Sequence, residues 1–239
     1  MVCESSHPFY FETMRSWFIL IFSLTVLTAF AQEYCGTVPT PEQLDYMKRI
    51  HQLDAESGDR TAASLVRIPV VFHVIRTSAG EGGFSQAQAE TVISRVNSYY
   101  ASVAMEFFLA REINYIDNDT YYNLNSANEG GVAVPNDVPG VINIYFSNTL
   151  TSGGTQLCGY TRFPPSSDRV FMANGCTFNG TTLEHELGHY FTLFHTHGKT
   201  NTGTTDELVN GSNCSSAGDD LCDTPADPNL SGKVSNGCV

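Results

Sequence analysis

Residues 185–195 read His-Glu-Leu-Gly-His-Tyr-Phe-Thr-Leu-Phe-His. The first five fit H-E-x-x-H. On a helix, His185 and His189 stand one turn apart on the same face. Two imidazoles so placed can bind one Zn²⁺ at about 2.0–2.1 Å each. Glu186 lies beside them, where a carboxylate can take a proton from the attacking water. His195 is the third candidate ligand. A straight helix would carry it about 240° around from His189, so the chain must bend for it to reach the same metal. The extended signature H-E-x-x-H-x-x-G-x-x-H makes that bend with a glycine. Here the position is Thr192. A β-branched residue in a left-handed conformation costs about 1–2 kcal/mol, so the bend is strained or made differently.

The surroundings support a helix with two distinct faces. Thr181 and Glu184 have the spacing of a capping box at its start. Leu183, Leu187, Tyr190, Phe191 and Phe194 fall within one apolar stripe of about 100°, and His185 and His189 point away from it. One face is expected to pack on a core and the other to line a cleft. His197, just past His195, is expected to lie outside the ligand set.

Upstream, residues 68–75 (IPVVFHVI) form a β-branched run suited to a buried strand. A glycine-rich loop (Gly80, Gly82, Gly83) follows. Ser85 and Gln88 pair as a capping box ahead of Val92, Ile93, Val96, Tyr99, Tyr100 and Val103 at helical spacing. Residues 105–110, 141–147 and 169–173 read as further strands. Residues 32–66 are polar, with a helix-like stretch at 43–53, and read as a pro-segment or N-terminal arm. From Lys199 onward the chain turns to Gly, Asn, Ser, Asp and Cys, an irregular part expected to be held by disulfides. The fold class is α+β.

The composition excludes several functions. Lys and Arg number 12 against 25 Asp and Glu, a net charge of −13, and no basic cluster for a nucleic acid backbone is present. Residues 17–30 (WFILIFSLTVLTAF) are too few to span a bilayer comfortably, which takes about 20. Preceded by Arg15 and followed by Ala29-Phe30-Ala31, they read as a secretory signal cut after Ala31, with translation starting at Met1 or Met14. A membrane anchor is the alternative. Export would leave Cys35, Cys158, Cys176, Cys214, Cys222 and Cys238 where disulfides persist, and their spacing does not choose a pairing.

With these residues in place, the chain resembles the pappalysin-like branch of the metzincin zinc metalloproteases, including cytophagalysin-type and ulilysin-type members. The resemblance spans much of residues 67–239. It is carried by residues 68–75, by 141–147 with Leu150-Thr151-Ser152-Gly153-Gly154 after them, by TLEHELGHYFTLFHTHG, and by Cys222-Asp223-Thr224-Pro225-Ala226. It implies a twisted mixed sheet with a backing helix and an active-site helix below a cleft. It also implies zinc held by His185, His189 and His195, Glu186 as general base, and a protein or peptide substrate.

The same resemblance makes Cys35-Gly36-Thr37 similar to a cysteine switch. There a pro-segment thiolate fills zinc's open position until the chain is cut, here between about residues 53 and 67, near Arg60. The alternative for Cys35 is an ordinary disulfide. Calcium near Asp219, Asp220, Asp223 and Thr224 is implied too, against a solvated acidic loop. Metzincins continue to a Met-containing turn with a nearby Tyr. After His195 this sequence has neither residue, so a fragment ending before that turn is expected. The leading functional expectation is a secreted zinc endopeptidase made as a latent precursor. The alternative is a secreted zinc-binding or interaction module without turnover.

Overall fold

The N-terminal arm forms α1 (Pro41–Glu56), and the β-branched run after it forms β1 (Val66–Arg76). Ser85 caps α2 (Gln86–Tyr100) through the expected box: Gln88 N donates to Ser85 Oγ, and Ser85 N donates to Gln88 Oε1. The chain continues through β2 (Met105–Leu109), β3 (Asn114–Asp117), α3 (Asp119–Tyr122), β4 (Asn123–Asn125) and α4 (Glu129–Ala133). Then come β5 (Ile142–Ser147), β6 (Thr149–Ser152), β7 (Thr155–Leu157), β8 (Gly159–Thr161), β9 (Arg169–Ala173), α5 (Asn174–Thr177) and α6 (Thr182–Tyr190). The structure is a computed structural model that describes residues 35–56, 64–178, 180–199 and 205–227. The signal segment 1–31, Met14, Arg60 and Cys238 lie outside the described residues.

The main sheet has the order β2-β1-β5-β9-β8, with β3 also paired to β1. Every pairing is parallel except β8 on β9, so β8 forms an antiparallel edge. A smaller sheet joins β4, β6 and β7. Alternation along β1 serves two cores. Val70, Phe72 and Val74 pack with Ala89, Val92 and Val96 of α2 and with Leu183 and Leu187 of α6. Ile75 turns to the other face, with Tyr145, Tyr160 and Phe171. Burial on both faces is what a mostly parallel sheet requires, and it explains the continuous apolar run.

Helix α6 starts differently from its sequence signature. Thr181 makes no side-chain capping bond. Glu184 instead pairs with Arg95 of α2, Nε to Oε1 at 2.7 Å, and the Tyr100 hydroxyl donates to the Glu184 carbonyl at 2.9 Å. A carboxylate with a guanidinium within reach forms a charge-assisted bond stronger than a neutral cap. The stripe also breaks: α6 ends at Tyr190, and Phe194 joins a separate cluster with Met47 and Phe163.

Among the described residues, two disulfides join four of the cysteines. Cys158–Cys176 ties the residue before β8 to α5, and Cys214–Cys222 closes a loop in the irregular part. Among the described residues, no helix is long and apolar enough to cross a membrane.

Candidate metal centre

The bend after α6 is made by Thr192 itself, at φ 73°. Thr192 N donates to the His189 carbonyl and Leu193 N to the Gly188 carbonyl, both at 3.0 Å. This is the bond pattern of a Schellman ending, with threonine where glycine is usual. The strain at Thr192 is held by its neighbours: the His51 ring of α1 lies 3.3 Å from Thr192 Oγ1. The bend also aims the Leu193 carbonyl at the site. His189 Nδ1 donates to it at 2.7 Å, which leaves His189 Nε2 as a lone pair.

That lone pair faces three others. His189 Nε2 stands 3.0 Å from His185 Nε2, 3.2 Å from His195 Nε2 and 3.5 Å from Cys35 Sγ, and the four atoms all lie within 4.8 Å of one another. In tetrahedral zinc coordination, bond lengths of about 2.05 and 2.3 Å put ligand nitrogens about 3.3 Å apart and nitrogen and sulfur about 3.6 Å apart. The three distances from His189 Nε2 and the donor set fit that ion. Burial, with His185 adjacent, pushes His189 down to about 4, and burial with the neighbouring histidines pushes His195 down to about 3. The rings therefore stay neutral, as ligands must. Burial and the Glu186 carboxylate push the Cys35 thiol up, a preference a bound cation would reverse. His197 stacks on His195, ring centres 4.9 Å apart, and lies outside the group of four.

Glu186 is fully buried next to them, and burial, opposed by the Thr37 hydroxyl, raises it to about 7. Its side chain rests against Gly159. A Cβ there would come within 2.9 Å of both Glu186 Cγ and Met172 Sδ, so any side chain at this position would push them aside. The arm crosses the same place. Gly36 N donates to the Gly159 carbonyl at 2.9 Å, and Cys35 bridges Gly159 in parallel. Thr37 Oγ1 donates to Glu186 Oε2 at 2.9 Å and accepts from Thr161 N at 2.8 Å.

No protein-family model matches the chain. Curated relatives do. An extracellular metalloprotease of Colletotrichum graminicola is 30% identical, over 83% of this chain and 73% of its own length. The chain belongs to the extracellular metalloproteases. Relatives of the same name from Arthroderma benhamiae and Coccidioides posadasii are each 27% identical, over 88% and 80% of this chain and 76% and 70% of their own lengths. Among solved structures, a Glu-to-Ala variant of Tannerella forsythia promirolysin shares the fold. It has a TM-score of 0.55 and 19% identity, and covers 82% of this chain and 77% of its own.

In this metalloprotease the acidic residues past the site do not converge. Asp219 is buried but accepts from Thr224 Oγ1 at 2.8 and 3.0 Å and from Leu221 N at 3.0 Å. Asp220 pairs with Lys199 at 2.6 Å, and Asp223 is exposed. Among the described residues these acids form no ligand group, and calcium finds no support here. Sequence reasoning missed Gly159, Thr161 and the Leu193 carbonyl. The first two sit on a strand of three residues, too short to show a period.

Proposed function

We propose that the chain is a zinc endopeptidase of the metzincin type, exported and kept latent by its own N-terminal arm. The observation that carries this is the convergence of Cys35, His185, His189 and His195, their ligand atoms all within 4.8 Å of one another, beside a buried carboxylate. His185, His189 and His195 would hold zinc through Nε2, with Cys35 Sγ as the fourth ligand of the latent form. Bound there, zinc supplies Lewis acidity toward a peptide carbonyl and water. The third histidine beyond a bend, together with the likeness to promirolysin's fold, supports the metzincin assignment. The relatives' name supports export.

The chain's own residues account for the rest. Glu186 takes a proton at Oε2 from the attacking water and returns it to the leaving amine. Leu193 holds the His189 ring in the tautomer that leaves Nε2 open. Edge strand β8 offers its backbone to an extended peptide, on the side where Cys35 and Gly36 now lie. Cutting the chain between about residues 53 and 67 frees that edge and Glu186 together.

The test is Glu186→Ala in the full chain, loaded with zinc and then cut in that segment. One equivalent of zinc bound with cleavage lost supports the reading. Cleavage as fast as the parent's overturns the role of Glu186. A complete and processed chain that binds zinc but shows no chelator-sensitive cleavage selects the non-enzymatic module.

A further inference from the structure

The arm also fills a hollow beside the metal centre. Met47 of α1 is wholly buried between Phe163 and Phe194, which are 2% and 8% exposed. The two rings stand 5.5 Å apart, centre to centre, and Phe163 lies 5.3 Å from the His189 ring. One wall of the hollow therefore touches a candidate zinc ligand. Next to it, buried Gln43 donates through Nε2 to the Phe163 carbonyl at 2.6 Å and to Ser166 Oγ at 2.7 Å. A peptide bound along a sheet edge puts a side chain in a pocket and a main-chain N–H on a neighbouring carbonyl; here Met47 and the Gln43 side-chain amide, both on α1, take those two places.

We propose that the Phe163–Phe194 hollow is a substrate subsite, stood in for by Met47 in the uncut chain, and that it selects a long apolar side chain. The proposal rests on the peptidase reading and adds a preference to it. Phe163 follows edge strand β8, whose first residue, Gly159, lies against Glu186. At about 3.3 Å per residue of fully extended chain, Phe163 lies at most about 13 Å along from Gly159, which places the selected side chain within about four residues of the bond cut. The faces of aromatic walls offer an anionic side chain no partner, so Asp there would lose hydration uncompensated.

The test uses the full chain, with a recognition sequence for an unrelated protease in place of residues 57–63. It is folded with zinc, cut and freed of the arm. Peptides carrying Met, Leu, Ser, Asp or Lys at each of four positions on either side of the bond are then compared by kcat/KM. The expected result is one position where Met and Leu exceed Ser and Asp by about tenfold or more. Phe163→Ser should bring the ratio of kcat/KM for Met and Leu over Ser at that position down toward one.

A binding arm stands apart from turnover. A synthetic peptide of residues 35–56 should bind the cut Glu186→Ala chain at least about tenfold more tightly than its Met47→Ser counterpart. Cleavage without any apolar preference, together with equal binding of the two peptides, overturns the subsite and leaves the peptidase reading intact. Absence of cleavage in the cut, zinc-loaded chain removes both.

Discussion

Thr37 Oγ1 donates a hydrogen bond to Glu186 Oε2 across 2.9 Å, and both side chains are buried. The arm thus holds the candidate general base as well as facing the metal ligands. A buried carboxylate that loses a donor bears the desolvation of the orphaned oxygen, about 1–3 kcal/mol. Thr37→Val, which keeps the shape and removes the hydroxyl, should destabilise the uncut chain by about that amount in urea titration. The cut and separated enzyme lacks residue 37 and should show the parent's kcat. A Thr37→Val chain as stable as the parent would mean the bond contributes nothing.

Gly159 sets where the Glu186 side chain can lie, because a methyl group there meets Glu186 Cγ and Met172 Sδ at 2.9 Å. Gly159→Ala should therefore displace the carboxylate while the three histidines stay in place. Misplacement on the order of 1 Å can cost about a hundredfold in rate. The expected result is a kcat lowered by up to about that factor, with KM and zinc stoichiometry close to the parent's. An unchanged kcat would show that the carboxylate's position against β8 is not what the reaction requires.

How far the sequence discloses this arrangement depends on the length of each signal. The β-branched run of β1 and the capped, periodic α2 are long enough to be read directly, although β1 runs beyond residues 68–75 and α2 ends at Tyr100, short of Val103. The histidines were legible because helical spacing brings two of them together and leaves one bend to supply the third. Strands of three or four residues, such as β3, β4, β7 and β8, show no period, so the edge beside the site was invisible. Glu184 misled because its partner, Arg95, lies on a distant helix that only the fold brings near. The pairing Cys158–Cys176 likewise follows from the packing of α5 against β9, the neighbour of β8, rather than from spacing.

Metal binding should be visible in stability before any assay of cleavage. A ligand present at a thousandfold its Kd stabilises the native state by about 4 kcal/mol. For a domain of this size that corresponds to a rise in Tm of about 8–16 °C. Zinc added to the chelator-treated full chain should give a shift of this order, and His195→Ala should lose most of it. Identical melting with and without zinc would show that Cys35 and the three histidines do not bind the ion together.

His73 gives the fold its own acid sensitivity, away from the metal centre. Its ring is buried and stacks on Tyr145, centres 4.3 Å apart and planes 10° from parallel. Asn143 Oδ1 already accepts from Val138 N, so His73 Nε2 donates to it at 3.0 Å, and Nδ1 accepts from Asn114 Nδ2 at 3.0 Å. Both nitrogens are satisfied by the neutral ring. Burial, helped by Arg111 and opposed by Asn143 and Asp137, keeps the folded pKa below the ordinary 6.5. Below about 6.5 the unfolded chain therefore takes up the proton more readily than the folded one. The stability this group contributes is present above that pH and is lost as pH falls toward the folded value, by up to about 1.4 kcal/mol per unit. His73→Gln can donate and accept at the same two partners without titrating. Urea midpoints measured at about pH 7.5, 6 and 5 should fall more steeply for the parent than for the variant. Parallel losses in the two proteins would assign the acid sensitivity to other groups.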